Sequence, residues 1–277
     1  MSFKVNIFPA KLSWPDAIDN LYKADSSEKI VRLVANPKNF DLLMKFQGVK
    51  RLWCFDINEK HLEIICNCKS IEQLYIENLK TDKLSKLSNL PELKILSLDT
   101  CSKVTTLDDI GDLKNLKGLS LIHFSKIKDI KPLAMLKNLR ELAVAGSMWT
   151  RMKIKSFEPL GKLRDVEFLH LTNIKPDDES LKPLENLKKL KQLDIANFYP
   201  MEDFARLAGI HSETNCTWFK PYINTSFSSC KKCGEQTIVM LTGRRKPSIC
   251  SKCDVKRLNK HVAEFKKIMK LSTQPQL

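Results

Sequence analysis

Long apolar runs are missing from this 277-residue chain. None approaches the ~20 residues that a bilayer-spanning helix requires, so no membrane span is expected. The opening stretch, MSFKVNIFPAKLSWPD, has no basic-then-apolar run and no small-residue cleavage site, which argues against a signal peptide. Catalytic signatures are absent too. There is no phosphate-binding loop, no GxSxG and no HExxH, and His61, His123, His170, His211 and His261 stand one by one in different stretches. These absences speak against an enzyme and a small-molecule substrate, and the expected location is the cytoplasm.

What is present is charge, and it is unevenly placed. The formal net charge is +15. Residues 228–277 hold 12 Lys and Arg against 3 Asp and Glu, a net of +9, which leaves +6 for the other 227 residues. Of nine cysteines, Cys54, Cys66, Cys68, Cys101 and Cys216 sit singly among apolar positions, as small buried hydrophobes do in a reducing compartment. The pair Cys66 and Cys68 falls in a stretch, HLEIICNCK, whose pattern is that of an amphipathic helix.

The dominant signal is a repeat. The pattern L-x-x-L-x-L recurs as Leu93-Leu96-Leu98, Leu116-Leu119-Leu121, Leu139-Leu142-Val144, Val166-Leu169-Leu171 and Leu190-Leu193-Ile195. Weaker copies precede it at Val49-Leu52-Cys54 and Ile71-Leu74-Ile76, and a degraded one follows at Cys216-x-Trp218. The first members of the eight L-x-L pairs are spaced by 22, 22, 23, 23, 27, 24 and 23 residues. Alternate strand side chains share a face, so each L-x-L places two residues on one side of a short strand. Between strands, Ile127, Ile130, Leu133, Leu136 and Leu139 recur every third residue, which suits a tight 3₁₀ return. One such unit cannot bury its apolar row alone, so units must stack.

On these residues the chain resembles the leucine-rich repeat family, in its short-repeat class, over residues 49–219. The resemblance implies an α/β solenoid: a horseshoe with a parallel sheet on its concave face, serving recognition or scaffolding of a protein partner. Many members carry Asn or Cys three residues after the second leucine. Here Ile57, Leu79, Cys101, Phe124, Ser147, Ile174 and Phe198 stand there, and Asn78, Asn173 and Asn197 lie one position earlier. Residues 1–48 read as a helical N-terminal cap, from Ser13, which opens SWPDAIDNLYKA with Pro15 close behind, and from Asp25 with Glu28 three residues on.

The residues within and beside each L-x-L face the concave side, and a partner-binding set is expected among them: Arg51, Trp53, Phe55, Tyr75, Glu77, Asp99, Phe168, His170 and Asp194. The bland alternative is that the aromatics pack against the N-terminal cover. Trp149, in the extra residues of the 27-residue step, is either a binding knob or a side chain folded back over the core edge. The face carries few cations, unlike a nucleic-acid groove.

After a linker at 220–227, residues 228–254 hold Cys230-x₂-Cys233, sixteen residues, then Cys250-x₂-Cys253. Four thiolates on two turns suit one tetrahedral Zn²⁺, structural because no coordination position stays open. This is the spacing of a zinc ribbon; a redox role for the CxxC pairs is the lesser reading. A segment so short has little core of its own, and metal ligation supplies about 10 kcal/mol or more. Residues 255–277 then read as a basic amphipathic helix and tail, with Val255, Leu258, Val262, Phe265 and Met269 as its apolar stripe. Lys231, Lys232, Arg244, Arg245, Lys246, Lys252, Lys256 and Arg257 are candidates for a nucleic-acid contact, or else form a solvated surface.

Overall fold

The computed structural model describes residues 7–8, 13–225 and 228–273. Its core is one parallel sheet of nine strands. In sheet order these are β1 (Ile18–Asn20), β2 (Ile30–Lys38), β3 (Arg51–Ile57), β4 (Gln73–Leu79) and β5 (Ile95–Asp99). They continue with β6 (Gly118–Ile122), β7 (Glu141–Ala145), β9 (Phe168–Leu171) and β11 (Gln192–Ile195). Two short strands outside this sheet, β8 (Met152–Ile154) and β10 (Ile174–Pro176), pair with each other in parallel.

Register follows the repeat. Leu52 lies opposite Leu74, Leu74 opposite Leu96, Leu96 opposite Leu119, and Leu119 opposite Leu142. The leucines stack into one continuous core, and all five are 0% exposed. The returns are short 3₁₀ turns such as Ser85–Asn89, Lys131–Met135 and Lys182–Asn186, as the three-residue spacing anticipates. Two returns are α-helical instead: α1 (Glu59–Asn67), capped by the Asn58 side chain on the His61 amide, and the single turn α2 (Asp108–Gly111). This is the leucine-rich-repeat horseshoe.

Its start differs from the expected helical cap. Among the described residues of 1–48 there is no α-helix; β1 and β2 extend the sheet instead, with 3₁₀ turns at Leu21–Lys23 and Phe40–Lys45. Residues 30–33 alternate, with Val31 and Leu33 fully buried and Ile30 and Arg32 only half-buried, and Val31 lies opposite Leu52. Asp25 does not cap a helix; its carboxylate accepts from the amide and hydroxyl of Ser27 in a local turn. The period of two therefore prevails over the start signals.

At the far end the degraded copy at Cys216 is reduced to an isolated bridge between Gln192 and Asn215. Helix α3 (Met201–Ile210) covers the last repeat. The expected linker is not a free connection: its residues Tyr222–Asn224 form β12, antiparallel to β13 (Ile238–Leu241), which pairs with β14 (Ser248–Cys250). Helix α4 (Val255–Ser272) joins both units. Leu258 packs with Val239, Leu241 and Ile249 of the small sheet, while Phe265, 1% exposed, enters the core of the array. Gly209 lets α3 approach α4, because a Cβ there would run into the Met269 carbonyl.

Candidate functional site: the concave face and the four-cysteine cluster

The concave face is not open throughout. Trp53 and Tyr75, expected as exposed partner contacts, are 6% and 4% exposed. Trp14 covers them, its ring meeting each edge-on at 5.2 Å, and the Arg51 guanidinium lies 4.7 Å over Trp14. Trp53 donates its indole N–H to Glu77 at 3.2 Å, and Arg32 lies 5.6 Å over its ring. Burying these rings removes more apolar area from water than leaving them on the face, which is why the aromatic end closes.

The second covering element comes from the start of the chain. Ile7, 1% exposed, packs in one cluster with Trp53, Tyr75, Ile95 and Ala143, spanning β3 to β7. Phe8 meets the His170 ring edge-on at 5.3 Å. Glu77, Asp99 and Phe55 remain half-buried, and Phe168 is at the exposed end of the face. Nothing in the repeat pattern points to Ile7 and Phe8. They are two of several apolar residues in a stretch without a regular period, so no local pattern singles them out.

His170 on β9 sits between two carboxylates. Its Nδ1 is 2.6 Å from Asp194 on β11, and its Nε2 is 3.7 Å from Glu141 on β7. Burial disfavours the imidazolium, but the two carboxylates outweigh that and raise the pKa above its ordinary 6.5.

Trp149 does not fold back over the core edge; it is 89% exposed, beside Met148 at 83%. The turn carrying them is tightly held. The Ser147 hydroxyl accepts from the amides of Trp149 and Thr150, and the Asn173 amide donates to the Ser147 carbonyl at 2.6 Å. Gly146 is needed there, since a Cβ would meet the carbonyl oxygens of Thr150 and Asn173.

The four cysteines of the C-terminal segment converge. The Sγ atoms of Cys230, Cys233, Cys250 and Cys253 all lie within 4.8 Å of one another. Cys230 and Cys253 are 3.9 Å apart, and Cys233 and Cys250 3.8 Å. A disulfide would need about 2.05 Å, whereas a tetrahedral ion with metal–sulfur bonds of about 2.3 Å has edges of about 3.8 Å. The donor set therefore fits a metal ion. Backbone amides support the sulfurs: Lys232 donates to Cys230 and Cys253 to Cys250. Gly234, at φ 73°, completes the first turn. A hydrogen bond from the Thr237 hydroxyl, then the Cys253 amide, lowers the Cys250 thiol to about 6, while the same cluster pushes Cys253 up to about 12. Four crowded sulfurs cannot all ionise without a cation among them. By contrast Cys66, Cys68 and Cys216 are pushed up to about 12, 11 and 11, chiefly by burial, and are inert core thiols.

The eight basic residues suggested for nucleic acid are not gathered in one patch. Lys231, Lys232 and Lys252 lie at the cysteine turns, Arg244, Arg245 and Lys246 at the opposite tip of the β13–β14 hairpin, and Lys256 and Arg257 on α4. Two are engaged: Arg244 pairs with Glu179 and its amide donates to the Tyr199 carbonyl, and Lys252 pairs with Glu235 at 2.5 Å. The tip is docked on the array, helped by Asn197, which donates to Leu241 and accepts from the Gly243 amide.

No family model matches the chain, and no curated protein matches it. Among solved structures it is similar to internalin C2 from Listeria monocytogenes, with 23% identity over 56% of this chain and 66% of that one, at a TM-score of 0.44. A second internalin, InlF, from the same organism is 21% identical over 66% of each chain, at a TM-score of 0.43. The mouse RP105/MD-1 complex gives 20% identity over 60% of this chain and 30% of that one, at 0.46. The chain thus spans just under two thirds of the internalins' length at most. Among the described residues, no helix is long and apolar enough to cross a membrane.

Proposed function

We propose that this protein is a non-enzymatic interaction module that grips a protein partner on its concave face, with one structural Zn²⁺ held by Cys230, Cys233, Cys250 and Cys253. The observation that supports the first part is the seat of Ile7: the face already encloses an apolar side chain to 1% exposure between β3 and β7. Beside that seat lie the carboxylates of Glu77 and Asp99. An apolar centre with a charged rim is the composition of a protein-binding patch. Further contacts fall to Arg51, Phe55, Phe168, His170 and Asp194, and to Trp149 on its stiff turn. Nine unpaired cysteines, five of them inert in the core, suit the cytoplasm.

Affinity capture from the native cell extract, repeated with Asp99→Arg, tests the binding role. One stoichiometric protein retained by the wild type after nuclease treatment, and lost by the variant, is expected. Equal capture by both would move the partner off this face. For the metal, the expected result is one zinc per chain by elemental analysis, abolished by Cys→Ser at any of the four positions; a chain purified with less than a tenth of an equivalent would refute the assignment.

A further inference from the structure

Resting on the concave-face reading, we infer that the partner is recognised through a short peptide bearing an aliphatic–aromatic pair between basic residues, and that Ile7 and Phe8 of the chain itself hold that place until displaced.

Four observations converge on this. Ile7 and Phe8 are already bound as a ligand would be: one is enclosed by side chains from β3, β4, β5 and β7, and the other lies edge-on to His170 of β9. Two adjacent residues therefore bridge strands brought together only by the fold. Next, self-occupancy leaves room. A cavity of about 200 Å³ remains beside the pair, lined by Trp53, Tyr75, Glu77, Ser97, Asp99 and Ile122. The recess is half open to solvent, so the groove has room for a larger side chain than those present.

The charges match as well. Glu77, Asp99, Glu141 and Asp194 line the face, and Ile7-Phe8 stand between Lys4 and Lys11, with no acidic residue before Asp16. Finally, Ser120 lies at the centre of the face, opposite Ser97 and Ala143, at 0% exposure, and its hydroxyl has no hydrogen-bond partner. A buried hydroxyl without a partner is costly, and the backbone of a peptide crossing the strands offers it one.

A tethered segment acts at an effective concentration in the millimolar range. The free groove is then a minor population, and the apparent affinity for a competing peptide falls by that fraction. A partner must outbid the tether, which makes displacement selective.

The probe is a fluorescein-labelled peptide of residues 1–12, followed by anisotropy against full-length protein. With Ile7→Asp and Phe8→Asp in the protein, saturable binding is expected. The wild-type protein should bind at least tenfold more weakly, and a peptide carrying both Asp substitutions should not bind. A second protein, Ile7→Ala with Phe8→Ala, must behave like the first, which guards against misfolding by the buried charges. Equal binding by wild type and both variants would place the peptide elsewhere and overturn the inference, as would no binding to either folded variant. If that happens while Asp99→Arg still abolishes partner capture, the peptide chemistry fails and the concave-face reading survives. If capture is also insensitive to Asp99→Arg, both fail.

Discussion

Thr100 has φ 56°, a left-handed conformation that a β-branched residue rarely adopts. It belongs to a series: Asp56, Asn78, Thr100, His123 and Asn173 all have positive φ, each four residues after the first leucine of its L-x-L pair. Two of the three asparagines at this place, Asn78 and Asn173, are explained by it; Asn197 has no positive φ and instead bonds Leu241 and Gly243. Asn and Asp tolerate the left-handed region, and the next position, as at Ile57, Leu79, Cys101, Phe124 and Ile174, is buried in the core. The sequence showed the displaced asparagines but not their cause, since a backbone angle leaves no periodic trace when Thr and His also occupy the position. Replacing Thr100 by Asn should therefore stabilise the chain by about 1 kcal/mol, read as a higher urea midpoint. An unchanged or lower midpoint would mean that the Thr100 hydroxyl's 3.0 Å bond to Asp99 outweighs the strain.

Strands were the most legible elements, because a period of two with leucine at fixed spacing leaves few alternatives. Seven of the eight expected strands form, and β1 and β2, which extend the sheet beyond them, lie where helix-start residues misled. The convergence of the four cysteines was equally legible, since their spacing is local. The occupied groove was not: Ile7 shares one buried cluster with Ala143, more than a hundred residues away, and no local pattern records that. The His170 cluster belongs to this scale, because three strands build it. Folding raises the pKa, so the imidazolium between Glu141 and Asp194 adds its full stability below pH 6.5. That contribution is lost as the pH rises through the higher folded value. The melting temperature of the wild type should exceed that of His170→Gln by a few degrees at pH 5.5 and by less at pH 9. The comparison subtracts His61, His211 and His261, whose pKa values burial lowers instead. A gap that does not narrow would show that the ring acts by packing alone.

For the whole molecule, α4 couples the four-cysteine unit to the array through Phe265 and through the Gly209–Met269 approach. Truncating Phe265 to Ala should cost about 3–5 kcal/mol and split one unfolding transition into two. Hydrogen exchange would then show residues 228–273 opening well before the strands; uniform protection would show that the small sheet and the Arg244–Glu179 contact suffice. Chelation should likewise melt residues 228–254 while β3 to β11 persist. The seat of Ile7 and Phe8 carries one more consequence, for the order of events on the ribosome. Both are made before every strand they dock on, and domains form in the order of synthesis. Yet Ile7 has no complete seat until Ala143 is in place, and Phe8 none until His170. Two residues made before the sheet thus settle only after most of it, and during each round of translation there is an interval in which the nascent groove stands empty.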